Sequence, residues 1–300
     1  MSPLLTRMRP DDHGDSALNQ PSDNVRLTVV GAGVMGVSIA ALAVSRGLHV
    51  TVTDNEPAKA DAAAAKVAQE LRLAKLVRAI PDDAVAGSLR VRSSVPEDVA
   101  CDAVIEAVVE TKDVKTKVLA EICEAVGPGV PIITNTSSIP VDELAAEVRY
   151  PESLLGVHFM NPAYLIATVE VIHGARTSEQ VKAGAGAVLE ALGRKGVLVG
   201  DGPGFVTSRV SHRMINDAIK VVEEGRASVE DVDLLMQDCL GHRTGPLRTA
   251  DLIGLDNLAD SLTVLHERTG DESFRPADLL LAKVAAGEHG RKSGRGFYSY

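Results

Sequence analysis

The sequence predicts an α/β protein, a doubly wound and mostly parallel sheet followed by an all-α C-terminal domain. Three observations carry this. Short β-rich runs alternate with helical segments up to about residue 200, as parallel strands joined by helical crossovers require. Beyond "GVLVGDGPGF" (196–205) the runs have helical spacing with polar faces and no strand texture. Between the first strand and the first helix stands a G-x-G-x-x-G turn, which gives the sheet a Rossmann-type character.

The elements follow in order. "VRLTVV" (25–30) reads as a strand ended by "GAGVMG", and "VSIAALAVSRG" continues as a helix closing at Gly47. "LHVTVTD" (48–54) is the next strand, and an Ala-rich helix opens with Pro57 near its first turn. "SLRVRSS", "DAVIEAV", "PIITNTSS", "LLGVHFM" and "TVEVI" read as further strands, with helical segments at 112–126 and 178–192 among them. From Phe205 to about Ala286 the runs "VTSRVSHRMINDAIKVVEEGRAS", "VEDVDLLMQDCLG" and "LDNLADSLTVLHERTG" read as helices. Gly and Pro cluster at Asp201–Pro203, where a domain boundary is expected. The division is then a flexible tail over 1–24, a nucleotide-binding domain over 25–201 and a helical domain over 202–300.

Bulk properties narrow the function. A chain of 300 residues with 45% hydrophobic and 24% charged residues can bury two ordinary globular cores. Its net charge of −10 argues against nucleic acid or an anionic membrane as partner. The first 24 residues lack an apolar stretch and hold four Asp, so they resemble neither a signal nor a transit peptide. No run approaches transmembrane length. Cys101, Cys123 and Cys239 are widely spaced and form no metal-like pair, which points to a reducing, cytoplasmic setting without a metal site.

Gly31, Gly33 and Gly36 occupy the G-x-G-x-x-G positions, with Val34 and Met35 between the last two. The first glycine suits a tight turn, the second lets a pyrophosphate approach the backbone, and the third allows close helix–strand packing. The helix N-terminus adds unpaired N–H groups and a positive dipole end. Asp54 lies 18 residues past Gly36 at the end of the second strand, where a carboxylate accepts from adenine-ribose hydroxyls. Asn55 and Glu56 follow it with no arginine beside them, which favours NAD over a 2′-phosphorylated cofactor. The bland alternative is a packing turn that binds nothing.

Two ionisable residues interrupt segments that otherwise read as core strands: His158 in "LLGVHFM" and Glu170 in "TVEVI". Buried charge is costly unless paired. The pair is either a satisfied core contact or a base held by its carboxylate. His49, His173, His212, His242, His266 and His289 show no comparable pairing in the sequence and read as structural.

"NTSSIP" (135–140), "GVHFMNP" (156–162), "VEVI" (169–172), "GDGPGFVTSR" (200–209), "GPLRTADLIGLD" (245–256) and "GRKSGRGFYSY" (290–300) agree in order and spacing with one family. Over about residues 25–300 the chain resembles the L-3-hydroxyacyl-CoA dehydrogenases. The resemblance implies an NAD-dependent oxidoreductase of EC class 1.1.1 that interconverts 3-hydroxyacyl and 3-oxoacyl thioesters. It casts His158 as general base, Glu170 as the carboxylate on its other ring nitrogen, and Ser137 as a hydrogen-bonding partner of the reacting oxygen. It casts Glu110, Lys115, Asn161 and Lys292 as cofactor contacts, with Ser137 also beside the cofactor. It further implies a homodimer through the helical domain.

The chain departs from the family pattern at three places. Ser208 stands where asparagine is usual in the substrate site, and a serine reaches less far and offers no amide NH₂. Tyr164 replaces a proline, and Ala167 stands where a lysine is common. On the helix after Asp54, Glu70 and Val77 fall where serine and lysine would meet the CoA 3′-phosphate, with Lys66, Arg72, Lys75 and Arg78 nearby. These departures leave two carriers open, CoA and an acyl carrier protein, the latter as in relatives from biosynthetic clusters such as those of polyketides. They also leave open a dehydrogenase of a free hydroxy acid such as L-gulonate, and a catalytically silent NAD-binding protein of the crystallin kind.

Overall fold

The computed structural model describes residues 25–81, 84–95 and 100–300. The stretch 1–24, expected to be a flexible tail, lies outside the described residues. Eight strands form one sheet: β1 (Arg26–Val30), β2 (His49–Thr53), β3 (Leu89–Arg92), β4 (Ala103–Glu106), β5 (Ile132–Thr134), β6 (Leu154–His158), β7 (Thr168–His173) and β8 (Lys195–Val199). Their spatial order is β3-β2-β1-β4-β5-β6-β7-β8. All neighbours from β3 to β6 run parallel, β7 runs antiparallel to β6, and β8 runs parallel to β7.

Connections explain that mixture. Parallel neighbours need a crossover. The helices α1 (Val34–Ser45), α2 (Pro57–Leu76), α3 (Lys112–Val126), α4 (Val141–Ala145) and α5 (Glu179–Ala191) lie in such connections. The link from β6 to β7 holds no helix, so the chain turns back directly and pairs antiparallel. β8 went unread in the sequence because both its faces are wet: Val197 and Leu198 are exposed, and only pairing with β7 makes it a strand.

The central strands are buried on both faces, which is why they lack polar alternation. Leu27 and Val29 lie in one apolar cluster with α1, and Val30 and Val104 lie in another with α3 and α4. Helix α1 is buried from Gly36 to Ser45, an all-round apolar helix packed against α2.

The remaining helices are α6 (Thr207–Glu223), α7 (Val229–Leu240), α8 (Pro246–Ile253), α9 (Leu255–Thr269) and α10 (Asp278–Ala285). They enclose a separate core containing Ile215, Ile219, Leu247, Leu258, Leu262, Leu265, Phe274 and Leu280. Helices α8 and α10 span eight residues each, too short for periodicity to identify them. The link into this bundle is fixed at both ends. Val141 and Asp142 donate their amides to Asp201 at 2.9 Å each, and the chain then turns through positive φ at Gly204 (+71°) and Phe205 (+46°). No described helix is long and apolar enough to cross a membrane.

Candidate active site

The antiparallel register places His158 directly opposite Glu170. Opposed residues share a face of the sheet, and here they meet: His158 Nδ1 lies 2.8 Å from Glu170 Oε2. Both are buried, His158 at 7% exposure and Glu170 at 4%. The pair is not isolated. The Thr207 hydroxyl donates to Glu170 Oε2 at 2.6 Å, and the amides of Val206 and Thr207 donate to Oε1 at 2.9 Å each. The positive-φ turn at Phe205 aims those amides back at the sheet. It also sets the Phe205 ring 6.1 Å from the His158 ring.

These contacts decide protonation. Burial pushes the Glu170 carboxyl up, but the hydrogen bonds from His158, Thr207 and Val206 outweigh it and bring its pKa to about 2. An ionised carboxylate only accepts, so the proton of a neutral His158 sits on Nδ1 and the lone pair on Nε2. That is the tautomer a general base needs.

A second network supports the loop that carries Ser137. Glu110 Oε1 accepts from the Thr136 hydroxyl at 2.6 Å, the Ser137 amide at 2.8 Å and the Ser138 amide at 2.9 Å. It also accepts from the Ser138 hydroxyl at 3.0 Å and the Ser137 hydroxyl at 3.3 Å. Beneath it, Lys115 Nζ bonds Glu106 Oε1 at 2.8 Å and Glu110 Oε2 at 3.2 Å. Glu106 is fully buried and also takes the Thr134 hydroxyl at 2.7 Å and the Val108 amide at 2.8 Å. Burial works against the Lys115 charge, but the two carboxylates more than offset it and hold the ammonium above its ordinary range. Burial raises Glu110 as well, and Lys115, Thr136 and Ser137 together keep it below the usual carboxylate range. Asn135 joins the two networks, accepting the amide of Phe159, the residue after His158, at 2.9 Å.

The glycine turn has the geometry that a dinucleotide requires. Gly31 has φ +106° and donates to Thr53 O at 2.7 Å, and a Cβ there would lie 2.6 Å from the Ala107 carbonyl oxygen. A Cβ on Gly36 would lie 1.8 Å from the Gly31 carbonyl oxygen. A Cβ on Gly33 would meet nothing within 4 Å. Its side chain is therefore absent toward open space at the start of α1, where no acidic residue occupies the first turn. Val34 beside it is 72% exposed and Met35 half-buried. Asp54 accepts the Ala32 amide at 2.8 Å and the Glu56 amide at 2.9 Å, which braces the turn and leaves carboxylate lone pairs for a ribose. These residues fit NAD.

Some expected residues sit elsewhere or act otherwise. Lys115 was expected to touch the cofactor, yet its side chain is 1% exposed and its ammonium is enclosed by two carboxylates. It braces Glu110 from within. Lys292 bonds Asp256 Oδ2 at 2.6 Å at the start of α9 and joins neither network. Asn161 is exposed in the β6–β7 link, three residues past His158. Ser208, in the first turn of α6, is buried directly after the residues that hold Glu170.

Sequence reading missed Glu106, Thr134, Asn135 and the Val206–Thr207 amides, which only the fold brings to the site. It also missed that the Asp54 amide donates to the Arg92 carbonyl at the end of β3, at 3.3 Å. Among the histidines set aside as structural, His266 lies 3.2 Å from Glu272 on the surface and His289 lies 3.7 Å from Asp256. His212 is buried on α6.

Known proteins share this chain's sequence pattern and fold. The 3-hydroxyacyl-CoA dehydrogenase NAD-binding domain matches residues 26–202, and the C-terminal domain of the same family matches residues 204–300. A probable 3-hydroxybutyryl-CoA dehydrogenase of Bacillus subtilis is 38% identical over 278 residues, covering 92% of this chain and 97% of the relative. The crystal structure of Mycobacterium tuberculosis FadB2 superposes with a TM-score of 0.87 at 36% identity, covering 92% of this chain and 98% of that one. That of (S)-3-hydroxybutyryl-CoA dehydrogenase from Ralstonia eutropha gives 0.80 at 38% identity, covering 92% and 98%. The chain belongs to the 3-hydroxyacyl-CoA dehydrogenase family and is an NAD-dependent oxidoreductase.

Proposed function

We propose that this protein oxidises the 3-hydroxyl of a 3-hydroxyacyl thioester to the 3-oxo form, and catalyses the reverse reduction. The observation that carries the reading is the His158–Glu170 pair, buried, opposed across two strands and saturated on the carboxylate side. His158 Nε2 takes the proton of the 3-hydroxyl, and Glu170 stabilises the imidazolium that forms. Ser137 and Ser208 offer hydroxyls to the reacting oxygen and its neighbourhood. NAD bound on the Gly31–Gly36 turn supplies the hydride acceptor. Gly33 and the first amides of α1 would hold its pyrophosphate and Asp54 its ribose, and Asn161 would contact it near His158. Glu110, clamped by Lys115, keeps the Ser137 loop in one position. In the reductive direction His158 returns the proton.

The relatives named above act on a CoA thioester by their names, which supports CoA as carrier. One local feature supports a carrier protein instead. On α2 the Glu70 carboxylate lies against the Tyr164 phenol, and burial together with that charge raises the phenol's pKa. Negative charge there disfavours a nearby 3′-phosphate. The exposed Leu234, Leu235, Leu252 and Leu281 support a homodimer through the helical domain.

The test is His158→Ala, assayed on acetoacetyl-CoA and on acetoacetyl-carrier protein with NADH binding measured alongside. The reading expects turnover to fall about 10²–10⁴-fold while NADH affinity is kept. Wild-type turnover in the variant would remove the base assignment, and equal or better use of the CoA form would remove the carrier-protein alternative.

A further inference from the structure

The link from β6 to β7 leaves the interior only briefly after His158. Phe159 and Ala163 are buried, Met160 and Pro162 are half-buried, and Asn161 between them is exposed. Residues 159–163 thus form a short arch with Asn161 at its crown. At no more than about 3.6 Å per residue, Asn161 stays within about 7 Å of either foot.

Each foot is bonded by a side chain from a different element. At the near foot the Phe159 amide donates to Asn135 Oδ1 at 2.9 Å. Asn135 directly follows β5, donates its own amide to the Glu106 carbonyl at 2.9 Å, and precedes Ser137 by two residues. At the far foot the Ala163 amide donates to Ser38 Oγ at 2.8 Å. Ser38 is 1% exposed and lies on α1, four residues past Val34. At 1.5 Å per residue that is about 6 Å along the axis from the start of the helix.

Nothing within α1 calls for a serine at this position. The helix is buried from Gly36 to Ser45, a hydroxyl is costly to bury unbonded, and alanine is the better helix former. Ser45, also buried, uses its hydroxyl inside the helix and donates to the Leu42 carbonyl at 2.6 Å. Ser38 instead accepts an amide from another element, and that amide would otherwise be a buried donor without an acceptor. Phe159, Ala163 and Tyr164 share an apolar cluster with α1, which holds the arch down, but apolar contact is non-directional. The two hydrogen bonds fix which way the peptide planes at the feet face, and so where the crown points.

We propose that Ser38 and Asn135 are positioning residues that clamp this arch at both feet, so that the dinucleotide-binding helix and the Ser137 loop together set Asn161 and the chain just after His158. This rests on the dehydrogenase reading above and deepens it. Ser38 is buried beneath the arch and acts only through it.

The experiment compares Ser38→Ala and Asn135→Ala with Ser45→Ala, which removes a buried hydroxyl from the same helix without touching the arch. For each variant, kcat and KM are measured on acetoacetyl-CoA and acetoacetyl-pantetheine. NADH affinity, the fluorescence lifetime of bound NADH and the melting temperature are measured alongside. Both arch variants should lose about 10- to 100-fold in kcat on either thioester, as a misplaced reacting geometry does. KM and NADH affinity should stay within about threefold, because substrate and pyrophosphate contacts are untouched. The lifetime of bound NADH should move toward that of free NADH as the nicotinamide end loosens. Ser45→Ala should change neither kcat nor lifetime, whatever it does to the melting temperature. A kcat within about threefold of wild type in either arch variant, or an equal kcat loss in Ser45→Ala, overturns the clamp and leaves the dehydrogenase reading standing. If the wild type turns over neither thioester, that reading fails and the lifetime decides the clamp, an unchanged value in the arch variants overturning it. If Ser38→Ala does not fold, Asn135→Ala decides.

Discussion

Glu170→Gln separates the electrostatic and the positional contributions of the carboxylate. In the wild type its two oxygens receive only donors: the His158 ring, the Thr207 hydroxyl and the amides of Val206 and Thr207. A glutamine of the same shape keeps one carbonyl oxygen and replaces the other with an NH₂. If the NH₂ faces His158, it must donate to Nδ1, which moves the ring proton to Nε2 and removes the base. If it faces Val206 and Thr207, it meets two N–H groups at a position where both had an acceptor. The carboxyl's pKa falls from 4.5 to about 2 in the folded protein. At about 1.4 kcal/mol per unit this corresponds to about 3 kcal/mol of stability near neutral pH. A depressed carboxyl contributes above its unfolded value and loses that contribution as pH falls through the folded one. The wild type should therefore lose about 3 kcal/mol between about pH 5 and pH 2, and Glu170→Gln should lack this part of the slope. Turnover should fall about 10³- to 10⁴-fold, as tautomer loss does in a His–carboxylate pair. Urea unfolding across pH and NADH-linked turnover measure both effects. Activity within tenfold of wild type at pH 7, with an unchanged pH slope of stability, would refute the reasoning.

Two further perturbations test the supporting structure. Lys115→Met removes the one ammonium between Glu106 and Glu110 and leaves Glu106 charged and fully buried; urea unfolding at pH 7 should show a loss of about 3–5 kcal/mol, and a variant within 1 kcal/mol of wild type, a bound taken as about the worth of a surface pair, would show that the cluster is not held by charge. Gly33→Ala and Gly36→Ala should part company. A Cβ at Gly33 enters open space, so the melting temperature holds while fluorescence titration shows NADH affinity falling; a Cβ at Gly36 strikes the Gly31 carbonyl, so the melting temperature itself drops. Equal thermal effects in the two variants would contradict the assigned roles.

Much of the sheet was legible in sequence because its information is local. Strands β1, β2 and β4 to β7 are short apolar runs, and α1 to α3 and α5 announce themselves through composition, Pro57 and glycine spacing. The glycine turn was readable for the same reason, since each glycine answers a local steric demand. Elements whose identity depends on a partner were not readable. β8 is a strand because β7 lies beside it, and α4, α8 and α10 are too short to show a period.

The active site divides in the same way. The sequence by itself determined which chemical groups are present: one histidine and one glutamate on core strands, a serine loop, a glycine turn ending in free amides, and an aspartate after the second strand. Tertiary structure decided what those groups do. An antiparallel return between β6 and β7 sets residues 158 and 170 face to face. A turn 36 residues beyond Glu170 brings two amides and a hydroxyl onto its carboxylate. A lysine that looks solvated on a helix becomes the buried counter-ion of Glu106 and Glu110. Residue type follows from the chain alone, but pKa, tautomer and exposure depend on neighbours distant in sequence, and those exist only once the chain has folded.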